Sequence, residues 1–261
     1  MRTELACEPG DRDRPNEDYA SVALPASGQG GSLVVLDGVT PPAGDDGCLH
    51  SVPWFTARLG GALGEMCVSL RDLTLPEILS RAIARTAGTH AGTCDLSHPR
   101  TPQATVVLAR WDPAHVEYLV LSDSALLVES ASGEVTALLD DRLALLPGTA
   151  LTSHTVIDAT FRNKEGGFFT AAADPAVAER AVTGRLDRDG VRTLTALTDG
   201  AMRWTERFGE GDWRELVALV RKEGGQALVD RVRALELAGS EGTSARRGKT
   251  HDDATVVYVE L

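Results

Sequence analysis

Aspartates recur at the ends of apolar, extended runs in this sequence, and its chemistry is sought there first. Leu33-Val34-Val35-Leu36 is too short for a helix and half β-branched, which predicts a strand buried on both faces, and it runs straight into Asp37-Gly38. A carboxylate at the exit of a buried strand packs poorly and binds cations well, and a following glycine lets a ligand approach the backbone. Taken singly, the pair also reads as a plain Asp-Gly turn. The arrangement returns in altered form at Leu194-Thr195-Ala196-Leu197-Thr198-Asp199-Gly200, at Asp252-Asp253 before an apolar run, and at Asn16-Glu17-Asp18 before the alternating stretch 19–24. If Asp18, Asp37, Asp199 and Asp252 meet in space, charges about 4 Å apart repel by about 4 kcal/mol at an effective dielectric near 20. Such a cluster takes up protons or holds cations. All-oxygen ligation without His or Cys selects hard ions, Mg²⁺ or Mn²⁺. Two such ions acidify a water between them, a design suited to hydrolysing phosphate esters. Arg14, in the polar loop Asp11-Arg12-Asp13-Arg14-Pro15, lies close to Glu17 and Asp18 and carries a planar fork that matches two phosphate oxygens. The same loop also reads as solvated, with local charge pairing.

The elements that must position these groups follow from pattern. Residues 1–10 predict a short edge strand ended by Pro9-Gly10, and residues 39–47 form a turn-rich loop placed to close over a site. His50 and Ser51 precede a helix marked by Pro53, with Phe55, Leu59, Leu63, Met66 and Leu70 on one face. Gly60, Gly61 and Gly64 weaken that helix in isolation, so close packing is expected around them. Thr74-Leu75-Pro76-Glu77 is a capping box opening a second helix along Leu75, Ile78, Leu79, Ala82, Ile83 and Thr86. Extended stretches at 104–109, 115–121, 125–129 and 134–138 are joined by short turns, which imply antiparallel neighbours; Asp123 falls between two of them. Residues 140–167 read as loop with some helix, and Asp174-Pro175 opens a helix to about Val182. The strand ending at Asp199 follows, then helices from Asp212 and through Leu228, Val229, Val232 and Leu235. Residues 239–249, small, polar and basic, are expected to be mobile, and the last strand begins after Asp252-Asp253.

A chain of 261 residues, 43% hydrophobic, is long enough for one well-buried domain and short for two, so a single domain over 1–261 is expected. Asp and Glu number 38 against 26 Lys and Arg, and the net charge of -12 speaks against binding nucleic acid or an anionic membrane. No apolar run approaches the roughly 18 residues of a spanning helix. Met1-Arg2-Thr3-Glu4 lacks the apolar region of a signal peptide, so a soluble cytoplasmic protein is expected. Cys7, Cys48, Cys67 and Cys94 are widely spaced, without a Cys-x-x-Cys pair or an accompanying His pattern. Neither a zinc site nor a disulfide framework is indicated, and reduced thiols filling the core are expected.

Five of these segments, in order and over nearly the whole chain, resemble the motifs of the metal-dependent protein phosphatases of type 2C (the PPM family), in a diverged, bacterial-type form. Asn16-Glu17-Asp18 is similar to the first acidic motif and Val35-Leu36-Asp37-Gly38 to the second. Leu121-Ser122-Asp123-Ser124 is similar to the Gly-Asp-Ser-Arg segment, Leu197-Thr198-Asp199-Gly200 to Ser-Asp-Gly, and Asp252-Asp253-Ala254-Thr255 to the closing Asp-Asn-x-Thr. The resemblance implies an α+β fold, a four-layer α-β-β-α sandwich of two antiparallel sheets flanked by helices. It implies two Mn²⁺ or Mg²⁺ ions, with Asp37 bridging both, Asp18 on one with Glu17 nearby, the Gly38 carbonyl as a ligand, and Asp199 and Asp252 on the other. Arg14 would hold the phosphate of a phosphoserine or phosphothreonine in a protein, attacked directly by a metal-activated water.

The chain departs from the family pattern at several points. Val39-Thr40 stands where His-Gly is usual, which removes the leaving-group acid and makes His50 a candidate replacement. Arg14 precedes Asp18 by four residues rather than five, and Ala125 replaces the arginine of Gly-Asp-Ser-Arg. Arg203 takes the place of an aspartate common in enzymes with a third ion, which leaves Asp123 as the acid remaining for that ion. Two alternatives stay open: a phosphatase of a phosphorylated small molecule, and a phosphatase-like regulatory module that holds metal weakly or not at all. Oligomeric state is not legible.

Overall fold

The run Leu33-Val34-Val35-Leu36 is buried throughout because its two faces meet two different cores. In a computed structural model that describes residues 1–42, 44–147, 154–240 and 251–261, the strands are β1 (Arg2–Glu8), β2 (Tyr19–Ala23), β3 (Gly31–Leu36), β4 (Val106–Trp111), β5 (His115–Leu121), β6 (Ala125–Ser130), β7 (Val135–Leu138), β8 (Val182–Asp187), β9 (Val191–Leu197) and β10 (Ala254–Glu260). The helices are α1 (Val52–Ser69), α2 (Leu75–His90), α3 (His154–Thr160), α4 (Asp199–Glu206), α5 (Trp213–Glu223) and α6 (Gly225–Ser240).

One sheet has the order β2-β3-β4-β5-β8 and the other β1-β10-β9-β6-β7, with every pairing antiparallel. The period-two alternation of a strand divides its side chains between the layers. Leu33 and Val35 of β3 share the inter-sheet core with Val107, Ala109, Leu126, Leu194, Val257 and Val259. Val34 and Leu36 turn to α1 and α2, and on the far sheet Val256 and Tyr258 turn to the helices α4, α5 and α6. The result is the expected four-layer α-β-β-α sandwich. β1 pairs with β10 in the register Leu5↔Val257, so the two ends of the chain close one sheet together.

Helix starts follow the capping chemistry of the sequence. Thr74 N–H donates to Glu77 Oε2 at 2.8 Å and Glu77 N–H to Thr74 Oγ1 at 3.4 Å, and Asp212 and Glu215 repeat the exchange at 2.9 and 2.8 Å. Ser51 caps α1, its Oγ accepting from Trp54 N–H.

Several expectations are corrected. β5 and β6 do not pair: the chain leaves one sheet after Leu121 and enters the other at Ala125, so Ser122-Asp123-Ser124 crosses between sheets. Ser122 takes φ 69° there, a left-handed value uncommon without glycine. The helix expected up to Val182 is a 3₁₀ turn, Pro175–Arg180, because Val182 is already paired with Val120 in an edge strand that its polar sequence conceals. α4 begins at Asp199 itself, and its 8 residues are too few to show a period. Residues 239 and 240, expected to be mobile, belong to α6, while 241–249 lie outside the described residues, as do 148–153 of the 140–167 region. Among the described residues no helix is long and apolar enough to cross a membrane.

Of the three glycines of α1 only Gly60 is closely packed, since a Cβ there would strike the Tyr19 ring. Gly61 has nothing within 4 Å and Gly64 only Ser21 Oγ at 3.6 Å. Denaturant titration is expected to show Gly60→Ala destabilising by about 2 kcal/mol through overpacking. Gly61→Ala, exposed in mid-helix, is expected to stabilise by about 0.5 to 1 kcal/mol.

Candidate metal centre

Asp37 leaves the end of β3 under tight backbone control. Its N–H donates to Thr105 Oγ1 at 3.2 Å, and its carbonyl accepts from Thr105 N–H at 2.9 Å. Asp123 arrives from the sheet crossing, Asp199 from the first turn of α4, and Asp252 from the lead-in to β10. These four line one cavity of about 320 Å³. Asp18, at the entry to β2, lies against the same group and feels both Asp37 and Asp199. Its Oδ2 accepts from Thr255 Oγ1 at 2.7 Å and Thr198 Oγ1 at 3.0 Å, while its Oδ1 is buried without a partner.

Crowding is visible in the proton affinities. Loss of water, then the charges of Asp199, Asp18, Asp123 and Asp252, hold the Asp37 carboxyl well above the usual carboxylate range. Burial pushes Asp18 up to about 8, against the pull of the Thr255 and Thr198 hydroxyls. Burial, with Asp252 and Asp123, pushes Asp199 up to about 7, against the pull of Arg203 and a hydrogen bond with Asp37. Burial also raises Asp123. An all-oxygen donor set, an orphaned carboxylate oxygen and acids too crowded to ionise together are what hard divalent cations fit.

A wider cleft of about 900 Å³ adjoins the acid cavity, sharing Thr40, Pro41 and Asp252 with it. Arg14, exposed, and Glu17 line this cleft rather than the acid cavity. The Glu17 carboxylate accepts from the Thr40 hydroxyl. Gly38 lies where only glycine fits, since a Cβ would come within 2.5 Å of the Glu17 carbonyl and of Val52 Cγ1.

The placement of His50 corrects its candidacy as a proton donor. It lines neither cavity; its Nδ1 faces Cys48 and Cys94, and its ring stacks on Trp54 at 4.0 Å. Arg203 reaches Asp252 Oδ2 at 3.0 Å and also pairs with Glu236, so a guanidinium already stands at one edge of the acid cluster.

Several contributors were not foreseen. Asp253 accepts from Gly10 N–H at 2.8 Å and Glu17 N–H at 2.6 Å, pinning the loop that carries Arg14 and Asp18; the Asp252-Asp253 doublet was the available signal. Arg100 and Arg162 line the acid cavity and pair with Asp158, from a stretch with no pattern to reveal it.

No protein-family model matches this sequence, and no curated protein matches it. Solved structures do match over the full chain. The serine/threonine phosphatase Stp1 from Staphylococcus aureus aligns over 100% of this chain and 95% of its own, with a TM-score of 0.62 at 14% identity. Serine-threonine phosphatase 2C from Toxoplasma gondii aligns over 99% and 94%, at 0.62 and 15%. The catalytic domain of the serine threonine protein phosphatase PstP, in complex with 2 manganese ions, aligns over 99% and 97%, at 0.60 and 14%. The chain therefore shares the fold of type 2C phosphatases.

Asp18 and Asp199, with folded values of about 8 and about 7, keep protons that an unfolded chain releases near pH 4. The metal-free protein is thus expected to lose stability as pH rises from about 4 to about 8. Melting curves of metal-stripped and Mn²⁺-loaded protein between about pH 5 and pH 8 are expected to show the stripped Tm falling while the Mn²⁺ increment grows. Asp18→Asn is expected to flatten the slope.

Proposed function

We propose that this chain is a type 2C (PPM) phosphatase, a phosphomonoester hydrolase that uses Mn²⁺ or Mg²⁺ and acts on phosphoserine or phosphothreonine in proteins. The observation carrying this reading is the convergence of Asp37, Asp123, Asp199 and Asp252, distant in sequence, on one cavity, with Asp18 against them, in a fold shared with such enzymes.

Asp37, Asp18 and the Gly38 carbonyl would hold one ion, with Glu17 nearby, and Asp37, Asp199 and Asp252 the other. When bound, such a pair supplies a water acidified toward neutrality and positive charge against the phosphoryl oxygens. Arg14, in the cleft that opens onto Asp252, receives the remaining phosphate oxygens through its planar fork. Asp253 keeps that loop in place, and the Thr40 hydroxyl orients Glu17. Arg203, bonded to Asp252, stands where a third ion's acid would be, so two ions are proposed despite Asp123. No described histidine lines the acid cavity; His251, 2.8 Å from Glu236, lines the wider cleft with Arg14.

A second reading, a small phosphorylated substrate, is favoured by the walls of the acid cavity. Arg100 and Arg162, with Leu143, Ile157 and Phe168, can enclose a compact ester.

Turnover of an aryl phosphate is expected only with added Mn²⁺ or Mg²⁺. Asp37→Asn and Asp199→Asn are expected to lower kcat/KM by about 10³-fold or more, about 4 kcal/mol, with folding retained. Undiminished turnover after metal removal would sink the proposal, and a clear preference for metabolite phosphates over phosphopeptides would select the second reading.

A further inference from the structure

Outside the acid cluster, the segment between β3 and α1 meets the end of α2 through four soft ligand groups. Cys48, His50, His90 and Cys94 place one sulfur or ring nitrogen each within 4.8 Å of all the others. Cys48 Sγ lies 3.4 Å from His90 Nδ1 and 3.7 Å from His50 Nδ1, and Cys94 Sγ lies 3.4 Å from His50 Nδ1. Ligands about 2.0 to 2.3 Å from a tetrahedral zinc stand roughly 3.3 to 3.8 Å from one another, so these spacings already match the edges of such a shell. The two sulfurs, 2.8 Å apart, must separate by about 1 Å to admit the ion.

The surroundings fit anionic sulfur. Backbone N–H groups donate to both sulfurs, Leu49 to Cys94 at 3.3 Å and His50 to Cys48 at 3.4 Å, as outer partners do for metal-bound thiolates. His90 is 2% exposed and turns its Nδ1 to Cys48 Sγ, so its ring is held at the group by burial. Trp54 covers the group, its ring 4.0 Å from that of His50 and 5.2 Å from that of His90. Asp95 N–H donates to the Gly47 carbonyl at 2.7 Å, so the backbone is drawn together at the same place.

We infer that Cys48, His50, His90 and Cys94 form a structural zinc site. It runs against the expectation that the cysteines indicate none; Cys48-x-His50 and His90-x₃-Cys94 are ligand spacings, 40 residues apart in sequence, that the fold brings together. Two thiolates and two imidazoles select Zn²⁺ over the hard ions suited to the aspartates, so one chain carries two chemically distinct metal sites. The zinc clamps the segment leading to α1 onto the end of α2. That segment continues from Thr40 and Pro41, which line both cavities, and ends at Ser51, which lines the wider one. The site stands on its own geometry, whatever the activity of the acid cluster.

Metal analysis of protein purified under reducing conditions and dialysed against Mn²⁺ buffer is expected to find one zinc per chain, retained by Asp37→Asn and lost from Cys48→Ser and Cys94→Ser. Replacement by Co²⁺ is expected to give the visible absorption of tetrahedral, thiolate-bound cobalt. If the serine variants fail to fold, titration of the wild-type protein with a mercurial reads the same site, zinc leaving in step with two thiols. Protein without zinc whose thiols react freely overturns the inference. So does a Cys48–Cys94 disulfide found by mass spectrometry of unreduced protein, or zinc lost on Asp37→Asn.

Discussion

Carboxyl groups buried together repel, and the acid end of this sandwich is arranged around that repulsion. Asp37 feels Asp199, Asp18, Asp123 and Asp252, none of them near it in sequence, and none can move away. β3 and β10 are gripped on both faces, between the sheets and beneath the helices, so the aspartates at their ends inherit the rigidity of two cores. Asp123 is held by the sheet crossing and Asp199 by the first turn of α4, where the helix N-terminus favours negative charge. The apolar interior thus maintains an electrostatic arrangement that the acids alone would disperse.

The repulsion is not balanced evenly. Beside Asp18 the hydrogen bonds come from the neutral hydroxyls of Thr198 and Thr255, and one carboxylate oxygen is left over. Beside Asp199 and Asp252 the chain supplies a cation of its own, Arg203, anchored on Glu236, whose buried side chain also takes Arg233 and His251. A divalent ion near Asp18 and Asp37 would displace their protons, and one near Asp252 would compete with a guanidinium. Position within the cluster, not acid count, would set its affinity for metal.

Local chemistry was legible where it is local. The both-faces-buried run at 33–36, the Thr74 capping box, the helix opened by Asp212 and the strand after Asp252-Asp253 all form where residue type and period place them. The sheet crossing at Asp123 was not, because a short turn between two strands looks the same whether the strands pair or part. β8 was missed because an exposed edge strand need not alternate, and α4 because a helix of 8 residues shows no period.

By itself the sequence determined which segments carry acids and that those acids stand at strand boundaries, since alternation and capping act over a few residues. Only the tertiary structure decided which side chains share a space: Asp37 with Asp199, Arg203 with Asp252, Cys48 and His50 with His90 and Cys94. Like-charge repulsion and metal-ligand geometry depend on distances of a few ångströms, and those are set by how two sheets and their helices pack, not by separation along the chain.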